Sequence, residues 1–430
     1  MNTTAAAFLS KHNFQIHTEI NPVVDALLYD MDQGLSGHQL GEDMIRTYCN
    51  PPSMDPSGES VIVIDAGGTN FRSCLVTFDA LGKASIDFME KTSMPGIEKE
   101  LSKKEFFCKF AENLEHLKDK SSKIGFCFSY PMTITEDGDG VLLGFSKEIK
   151  APEVVGCHIG KELAKELAAH GWKNKMEISL LNDTVAALLA GAACPSLGKK
   201  YSSYIGFILG TGMNSAYIQP SGEYKGVKQQ IIVCESGKFN AIPRSDFDIA
   251  LDKKSVKPGT SVMEKLCSGA YLGPLGYEVI HTAALEGLFS PSFSEHLIKL
   301  DKLTTIEMDT FLQAPYNTSS VLGAKAAESA TPEDYNLMFQ LLDAVVERTA
   351  RLSSAILAAS AIKCGEGKNA TQPVCMLCDG TTFYKTYRIF KRIEGYLDQI
   401  LIRDRGIYYE IVSVDNDITL GAAIGGLITK

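Results

Sequence analysis

The chain has 430 residues, a formal net charge of −10, 45% hydrophobic and 22% charged residues. The length admits two domains with a large core, and the acidic balance argues against a nucleic-acid partner. No apolar run approaches the roughly 20 residues of a membrane span. Ala5-Ala6-Ala7-Phe8-Leu9 is too short for a signal-peptide core, with Lys11 on the wrong side, so a cytoplasmic protein with no membrane partner is expected.

Residues 21–34 carry Val23, Val24, Leu27, Leu28 and Met31 at helical spacing, with Gly34 as a stop. Pro51, Pro52, Pro56 and Gly58 mark a loop or interdomain crossing. Residues 61–64, 73–78 and 84–89 predict three successive strands, 103–118 a helix and 123–129 a buried strand. Residues 177–181 lead into a small-residue helix over 185–192. Strands return at 204–209, 214–219 and 230–233. Two β-β-β-α-β halves, each opening on a glycine hairpin, predict a duplicated α/β fold with a cleft between the halves. Residues 333–362 predict one or two core helices, and 420–428 a small-residue helix suited to close packing near a hinge. The eleven cysteines lie mostly inside apolar runs, which fits a reducing compartment. Cys375 and Cys378 have CxxC spacing but sit in a buried-strand pattern with no second pair nearby, so they read as structural thiols.

Asp65-Ala66-Gly67-Gly68-Thr69-Asn70-Phe71-Arg72 follows a buried strand. Such a turn aims backbone N–H groups, a hydroxyl and an Arg at phosphate oxygens, with a carboxylate placed to hold a metal ion's water. Gly210-Thr211-Gly212-Met213-Asn214 follows a second buried strand. One Gly-Thr-Gly is ordinarily a tight turn, but two glycine hairpins favour a polyphosphate site. No GxxxxGK[ST] is present, which argues against a Walker-type site. Asn182-Asp183-Thr184 stands where a strand meets a helix, as a helix cap or as a carboxylate base for a hydroxyl acceptor. Ser129, Ser146, Lys147, Asn214, Glu235 and Glu264 are each ordinary surface or capping residues alone, but together could cage a polyol. Asp379-Gly380-Thr381 ends another apolar strand and could accept an adenosine.

Together these residues resemble the hexokinase family, within the actin-like ATPase superfamily. Asp65 to Arg72 is close to the family's Asp-Leu-Gly-Gly-Thr-Asn-Phe-Arg, and Phe128-Ser129-Tyr130-Pro131 resembles its Phe-Ser-Phe-Pro. Asn182-Asp183-Thr184-Val185, Gly210 to Asn214, Pro258-Gly259 with Glu264-Lys265, and Ser268 to Gly273 follow in the family's order. The resemblance implies a duplicated ribonuclease H-like fold of two domains around a deep cleft. Its boundaries would be 61–184 plus 416–430 for a small domain and 1–60 plus 185–415 for a large one. It implies ATP-dependent phosphorylation of a hexose, glucose first, at the 6-hydroxyl. Asp183 matches the general base, with Lys147 and Arg72 beside it in the chemistry. Ser129, Ser146, Lys147, Asn182, Asp183, Asn214, Glu235 and Glu264 match sugar-binding positions. Asp65, Gly67, Gly68, Thr69, Asn70 and Arg72 match the first phosphate loop, Gly210, Thr211 and Gly212 the second, and Asp379, Gly380 and Thr381 the adenosine segment. Mg²⁺ would sit on Asp65 through water, in a monomer or homodimer.

This sequence departs from the family's pattern at four places. Phe145-Ser146-Lys147-Glu148 replaces Trp-Thr-Lys-Gly, and Val233-Cys234-Glu235-Ser236-Gly237 replaces Asn-Thr-Glu-Trp-Gly. Ser261 stands for a Gln, and Asp417-Ile418-Thr419-Leu420-Gly421 for Gly-Ser-Gly-x-Gly. These changes bear on hexose preference and nucleotide affinity rather than on the reaction. The rival readings are a kinase of mannose or an N-acetylhexosamine, a sugar sensor without turnover, and a chaperone or filament ATPase of the same superfamily. Trp172 is expected outside the cleft.

Overall fold

The computed structural model describes residues 1, 3–50, 56–145, 149–193 and 199–428. Helix α1 (Ile20–Leu35) buries Val23, Val24, Leu27 and Met31, the stripe its spacing predicts. The first half then runs β1 (Ser60–Gly67), β2 (Asn70–Phe78), β3 (Ala84–Ser93), α2 (Lys103–Asn113), β4 (Lys123–Phe128), α3 (Ile159–Ala169) and β5 (Glu177–Leu181). Its sheet has the order β3-β2-β1-β4-β5. Strands β1 to β3 are antiparallel neighbours, while β4 is parallel to β1 and β5 to β4.

Helix α4 (Asp183–Ala193) leads to the second half: β6 (Ser203–Leu209), β7 (Met213–Gln219), β8 (Gln230–Val233), helices that include α5 (Val262–Cys267) and α6 (Pro332–Cys364), β9 (Val374–Asp379), α7 (Thr381–Lys385), β10 (Tyr409–Val412) and α8 (Asp417–Leu427). Its sheet has the order β8-β7-β6-β9-β10, with Ile45–Arg46 added at the β8 edge. The same pattern of antiparallel and parallel neighbours recurs. The two-domain, duplicated α/β fold expected from the order of elements is therefore present.

Element ends differ from the predicted ones for local reasons. Strand β2 begins at Asn70 because the hairpin loop is only two residues long and the ladder runs on to the Gly67–Asn70 pair. The helix predicted over 103–118 stops at Asn113, where the Leu114 N–H bonds the Ala111 carbonyl and tightens the chain into a 3₁₀ turn, Glu115–Leu117. Helix α6 is one continuous element, closed by a Thr331–Asp334 capping box and a left-handed Gly365. The predicted crossing at 51–58 falls partly outside the described residues.

Packing follows the period-two alternation of β1. Ile62 and Ile64 face an outer core with Phe106, Phe110, Phe126, Phe128 and Leu163, where Trp172 is also buried. Val61 and Val63 face an inner core with Val185, Leu188 and Leu189 of α4, Ala422 and Ala423 of α8, and Ala216 and Ile218 of the second sheet. Helix α8 lies on β1 and β4, α4 lies on β6 and β9, and the two helices pack against each other. Both approaches are too close for a side chain. A Cβ at Gly421 would fall on the Ala186 carbonyl, and one at Gly125 on the Ala422 carbonyl. Cys375 and Cys378 are buried in β9 and, among the described residues, share no cluster of metal-ligating groups. Among the described residues no helix is long and apolar enough to cross a membrane.

Gly421→Val should lower stability by about 1–3 kcal/mol in urea unfolding, because the obstructing atom is backbone and cannot rotate away. Gly395→Ala, which adds a Cβ in open space on helix Ile389–Leu397, should instead be neutral or stabilising by up to about 1 kcal/mol.

Candidate active site

The carboxyl ends of β1, β4 and β5 carry Asp65, Ser129 and the pair Asn182-Asp183, the edge of a parallel sheet at which α/β folds bind ligands. Gly68 is the left-handed residue of the first hairpin loop (φ 62°) and Thr69 is not, the arrangement that asks for glycine at the first loop position. The loop is held from both sides. Tyr130 donates its hydroxyl hydrogen to the Gly68 carbonyl at 2.9 Å, and the Met94 N–H bonds the Thr69 carbonyl at 3.0 Å. Arg72 Nη1 donates to Asp65 Oδ2 at 3.2 Å. The Asp65 side chain is 19% exposed and that of Arg72 48%, so the guanidinium is the member free to reach an anion. Burial raises the Asp65 pKa, and Arg72 pulls it back.

Ser129 sits against this loop. Its N–H bonds the Ala66 carbonyl at 3.2 Å, and its Oγ would be 3.0 Å from a Cβ at Gly67. In Asn182-Asp183-Thr184 the bond from the Thr184 N–H is shared between Asn182 and Asp183, and the residue before the helix is Asn182. Its Oδ1 accepts from the Thr184 N–H at 2.8 Å and its carbonyl from the Ala186 N–H at 3.0 Å. Asp183 is the first residue of α4, and its Oδ1 accepts from the Thr184 N–H at 2.7 Å. Burial raises the Asp183 pKa, and the charges of Asp65 and Asp379 push it the same way against the bonds from Thr184.

In the second half, the Gly210 N–H bonds the Gly212 carbonyl at 3.0 Å across the loop that ends at Met213. The loop is anchored by the Gly269 N–H and the Thr382 hydroxyl on the Gly210 carbonyl, at 2.8 and 2.9 Å, and by the Ala270 N–H on Thr211. Asp379 ends β9 level with Ile208 of β6, followed by Gly380 and then Thr381 at the start of α7. Asn214 Nδ2 donates to Glu235 Oε1 at 2.9 Å, and the Met213 N–H bonds Glu264 Oε2 at 3.2 Å. Glu235 (φ 56°) and Ser261 (φ 49°), just before the helix that carries Glu264, both hold left-handed backbone without being glycine. Strain of that kind collects at functional sites. The Glu235 pKa is pushed up to about 6, first by burial and then by Asp43 and Asp183, against the pull of Lys238.

The phosphate-loop, acceptor and polyol candidates therefore share one region, where Asp183 senses the charge of Asp65 and Asp379 and Glu235 senses that of Asp183. Ser146 and Lys147 lie outside the described residues. Two residues here went unnoticed as site residues in the sequence. Tyr130 pins the first hairpin, and its only signal was its place beside Ser129. Asp417 opens α8, is 9% exposed and has its pKa pushed up to about 6 by burial, then by Asp379 and Asp183. Its signal was an acid standing where the resemblance has a glycine. Four carboxylates, Asp65, Asp183, Asp379 and Asp417, are thus linked through the charges that Asp183 and Asp417 sense. Such hard oxygens fit a Mg²⁺ ion that keeps most of its waters.

Two family models described as hexokinase match the chain, one over residues 8–193 and the other over 204–428. Hexokinase-5 of Oryza sativa subsp. japonica is 28% identical over 416 residues, covering 88% of this chain and 80% of that protein. Hexokinase-1 of Schizosaccharomyces pombe is 26% identical over 443 residues, covering 96% and 88%. Among solved structures, a Schistosoma mansoni hexokinase complexed with glucose superposes with a TM-score of 0.78 at 24% identity, covering 98% of each chain.

Glu235 binds its proton more readily in the folded state than in the unfolded one. The resulting stabilisation is complete below about pH 4.5 and is lost as pH rises through about 6. Glu235→Gln should therefore be more stable than wild type at pH 7, by up to about 2 kcal/mol. The gap should close below about pH 4.5 in urea unfolding followed against pH. A gap independent of pH would contradict the assignment of that titration to Glu235.

Proposed function

The chain belongs to the hexokinase family and is a sugar kinase that transfers phosphate from ATP to a hexose hydroxyl, and we propose that the acceptor is the 6-hydroxyl of glucose, with Asp183 as the general base. The observation that carries this reading is the place of Asp183 just past the carboxyl end of β5, the same sheet end at which β1 and β4 carry Asp65 and Ser129. Burial raises its pKa, and a carboxylate with a raised pKa is a stronger base for a hydroxyl proton.

In this reading Thr69, Arg72 and Thr211, with the loops that carry Gly67, Gly68, Asn70, Gly210 and Gly212, hold the phosphates. Asp379, Gly380 and Thr381 receive the adenosine. Asp65 would hold Mg²⁺ through water, and the ion would supply charge neutralisation for the phosphates. Ser129, Asn182, Asn214, Glu235 and Glu264 orient the sugar, and the resemblance adds Ser146 and Lys147. Asp183 takes the proton from the hydroxyl as its oxygen attacks the γ-phosphorus in line. Arg72 leaves Asp65 and stabilises charge on the transferred group.

We place the cleft between a small domain of 61–184 plus 416–430 and a large domain of 1–60 plus 185–415. Closure on the sugar would exclude water, which is itself a competing acceptor. A second reading has mannose or an N-acetylhexosamine as the preferred acceptor. It is favoured by Ser236 and Ser261, which are smaller than the aromatic and the Gln that the resemblance puts beside Glu235 and Glu264.

The test is an ADP-release assay with Mg²⁺ and ATP over a panel of hexoses and N-acetylhexosamines. Glucose should give the highest kcat/KM, and a higher value for another sugar would select the second reading. Asp183→Asn should lower kcat by about 10²–10⁴-fold with sugar binding largely kept, whereas turnover near wild type would remove Asp183 as the base. Sugar binding by wild type without ADP release would mark a sensor. Arg72→Ala should raise KM for ATP or lower kcat and leave sugar affinity unchanged; a loss confined to the sugar would contradict the phosphate role of the first hairpin.

A further inference from the structure

Helices α2 and α3 cover the outer face of the first sheet, and both end toward the starts of β4 and β5, the edge opposite Asp65 and Asp183. Near those ends each presents a pair at i,i+4 spacing: Cys108 and Glu112 on α2, and Glu166 with the C-cap residue His170 on α3. Cys108 Sγ is 3.6 Å from Glu112 Oε1 and 3.6 Å from His170 Nε2. His170 Nε2 is 3.4 Å from Glu166 Oε1. The donor atoms of Cys108, Glu166 and His170 all lie within 4.8 Å of one another.

Without a cation the thiol donates to Glu112, and Nε2 faces both Sγ and Glu166. A cation among the donor atoms of Cys108, Glu166 and His170 would bond all three at once. Zinc bonds of about 2.3 Å to sulfur and about 2.0 Å to nitrogen or oxygen, at tetrahedral angles, set S···N and S···O edges of about 3.5 Å and an N···O edge of about 3.3 Å. The Sγ···Nε2 distance of 3.6 Å and the Nε2···Oε1 distance of 3.4 Å to Glu166 match those values.

We propose that Cys108, Glu166 and His170 form a three-residue site for a thiophilic divalent cation, zinc foremost with water in the fourth position, that clamps α2 to α3. A thiolate with an imidazole selects zinc over the hard cations that serve phosphate chemistry. Glu112, held by Lys109 at 2.6 Å, stands beside the site and accepts from the thiol. Binding forms a zinc–sulfur bond and releases the thiol proton to solvent, so affinity rises with pH. Without a cation, burial and the charges of Glu112 and Glu166 keep that proton on, against a weaker pull from Lys109.

The test uses the full chain, stripped of metal with a chelator and titrated with Co²⁺ and then Zn²⁺. Wild type should develop a thiolate-to-cobalt charge-transfer band in the near ultraviolet and the strong visible bands of four-coordinate cobalt, both erased by zinc. Cys108→Ser should lose the charge-transfer band, and His170→Gln should weaken binding by more than about tenfold. Cys157→Ser, at another partly exposed thiol, should keep the spectrum of wild type. Zinc should raise the unfolding temperature of wild type and not that of Cys108→Ser, while kinase turnover of the metal-free Cys108→Ser variant should equal that of metal-free wild type. No charge-transfer band in wild type, a band that survives Cys108→Ser, or equal stabilisation of both proteins by zinc would overturn the site. None of these readouts depends on the sugar or on Asp183.

Discussion

The close contact between α4 and α8 is the constraint on which the rest of the structure depends. Helix α4 leaves the first half and lies on the second sheet, while α8 leaves the second half and lies on the first. Each half therefore contributes a helix to the other's inner core. Gly421 against Ala186, and Gly125 against Ala422, let backbones meet where any side chain would hold them apart. Because α4 begins at Asp183 and α8 at Asp417, the exchange also brings one carboxylate from each half to the same point. Interior packing and site chemistry are set by the same crossing.

That crossing has an electrostatic cost. Asp183 feels the charges of Asp65 and Asp379, Asp417 feels those of Asp379 and Asp183, and burial raises the pKa of Asp65, Asp183 and Asp417. Arg72 answers only Asp65, and from an exposed position. A protein that assembles four acids around two glycine loops is prepared for positive charge and for ligands that bring it. Under the proposed function, Mg²⁺ with ATP supplies that charge. Asp417 is the member with no counterpart in the resemblance, so nucleotide binding here has one more negative charge to contend with at α8.

Much of this was legible in the sequence, and the remainder has a physical explanation. The alternation of Val61 to Ile64 and the turn at Gly67-Gly68 are local signals, and they predict the strands and hairpins on which the site is built. Asn182-Asp183-Thr184 was legible only as an ambiguity, because a cap and a base use the same residue types. The structure keeps both uses: the Thr184 N–H at the start of α4 is shared between Asn182 Oδ1 and Asp183 Oδ1, while the Ala186 N–H goes to the Asn182 carbonyl. Tyr130 and Asp417 were hidden because their roles depend on partners far away in the chain, Gly68 for one and Asp379 for the other. The cluster at Cys108 was hidden for a related reason. Cys108 with Glu112, and Glu166 with His170, are unremarkable i,i+4 pairs on amphipathic helices until the packing of α2 against α3 sets them edge to edge.

The two halves share a strand order but are not built to equal stiffness. In the first, a single helix and a 3₁₀ turn separate β3 from β4, whereas in the second a run of helices that includes the 33-residue α6 separates β8 from β9. Helix α6 is buried along most of its length, so the second sheet is backed by a thick core. On the outer face of the first sheet, among the described residues, α2 and α3 pack together with shorter segments that supply Met132, Ile134 and Val154. If the halves move about the α4–α8 layer, the thinner half is the one whose internal order is less assured by packing. A cation bridging α2 and α3 would tie together the face that the fold itself supports least. It would do so at the edge opposite Asp65 and Asp183, where a clamp leaves the proposed site unobstructed.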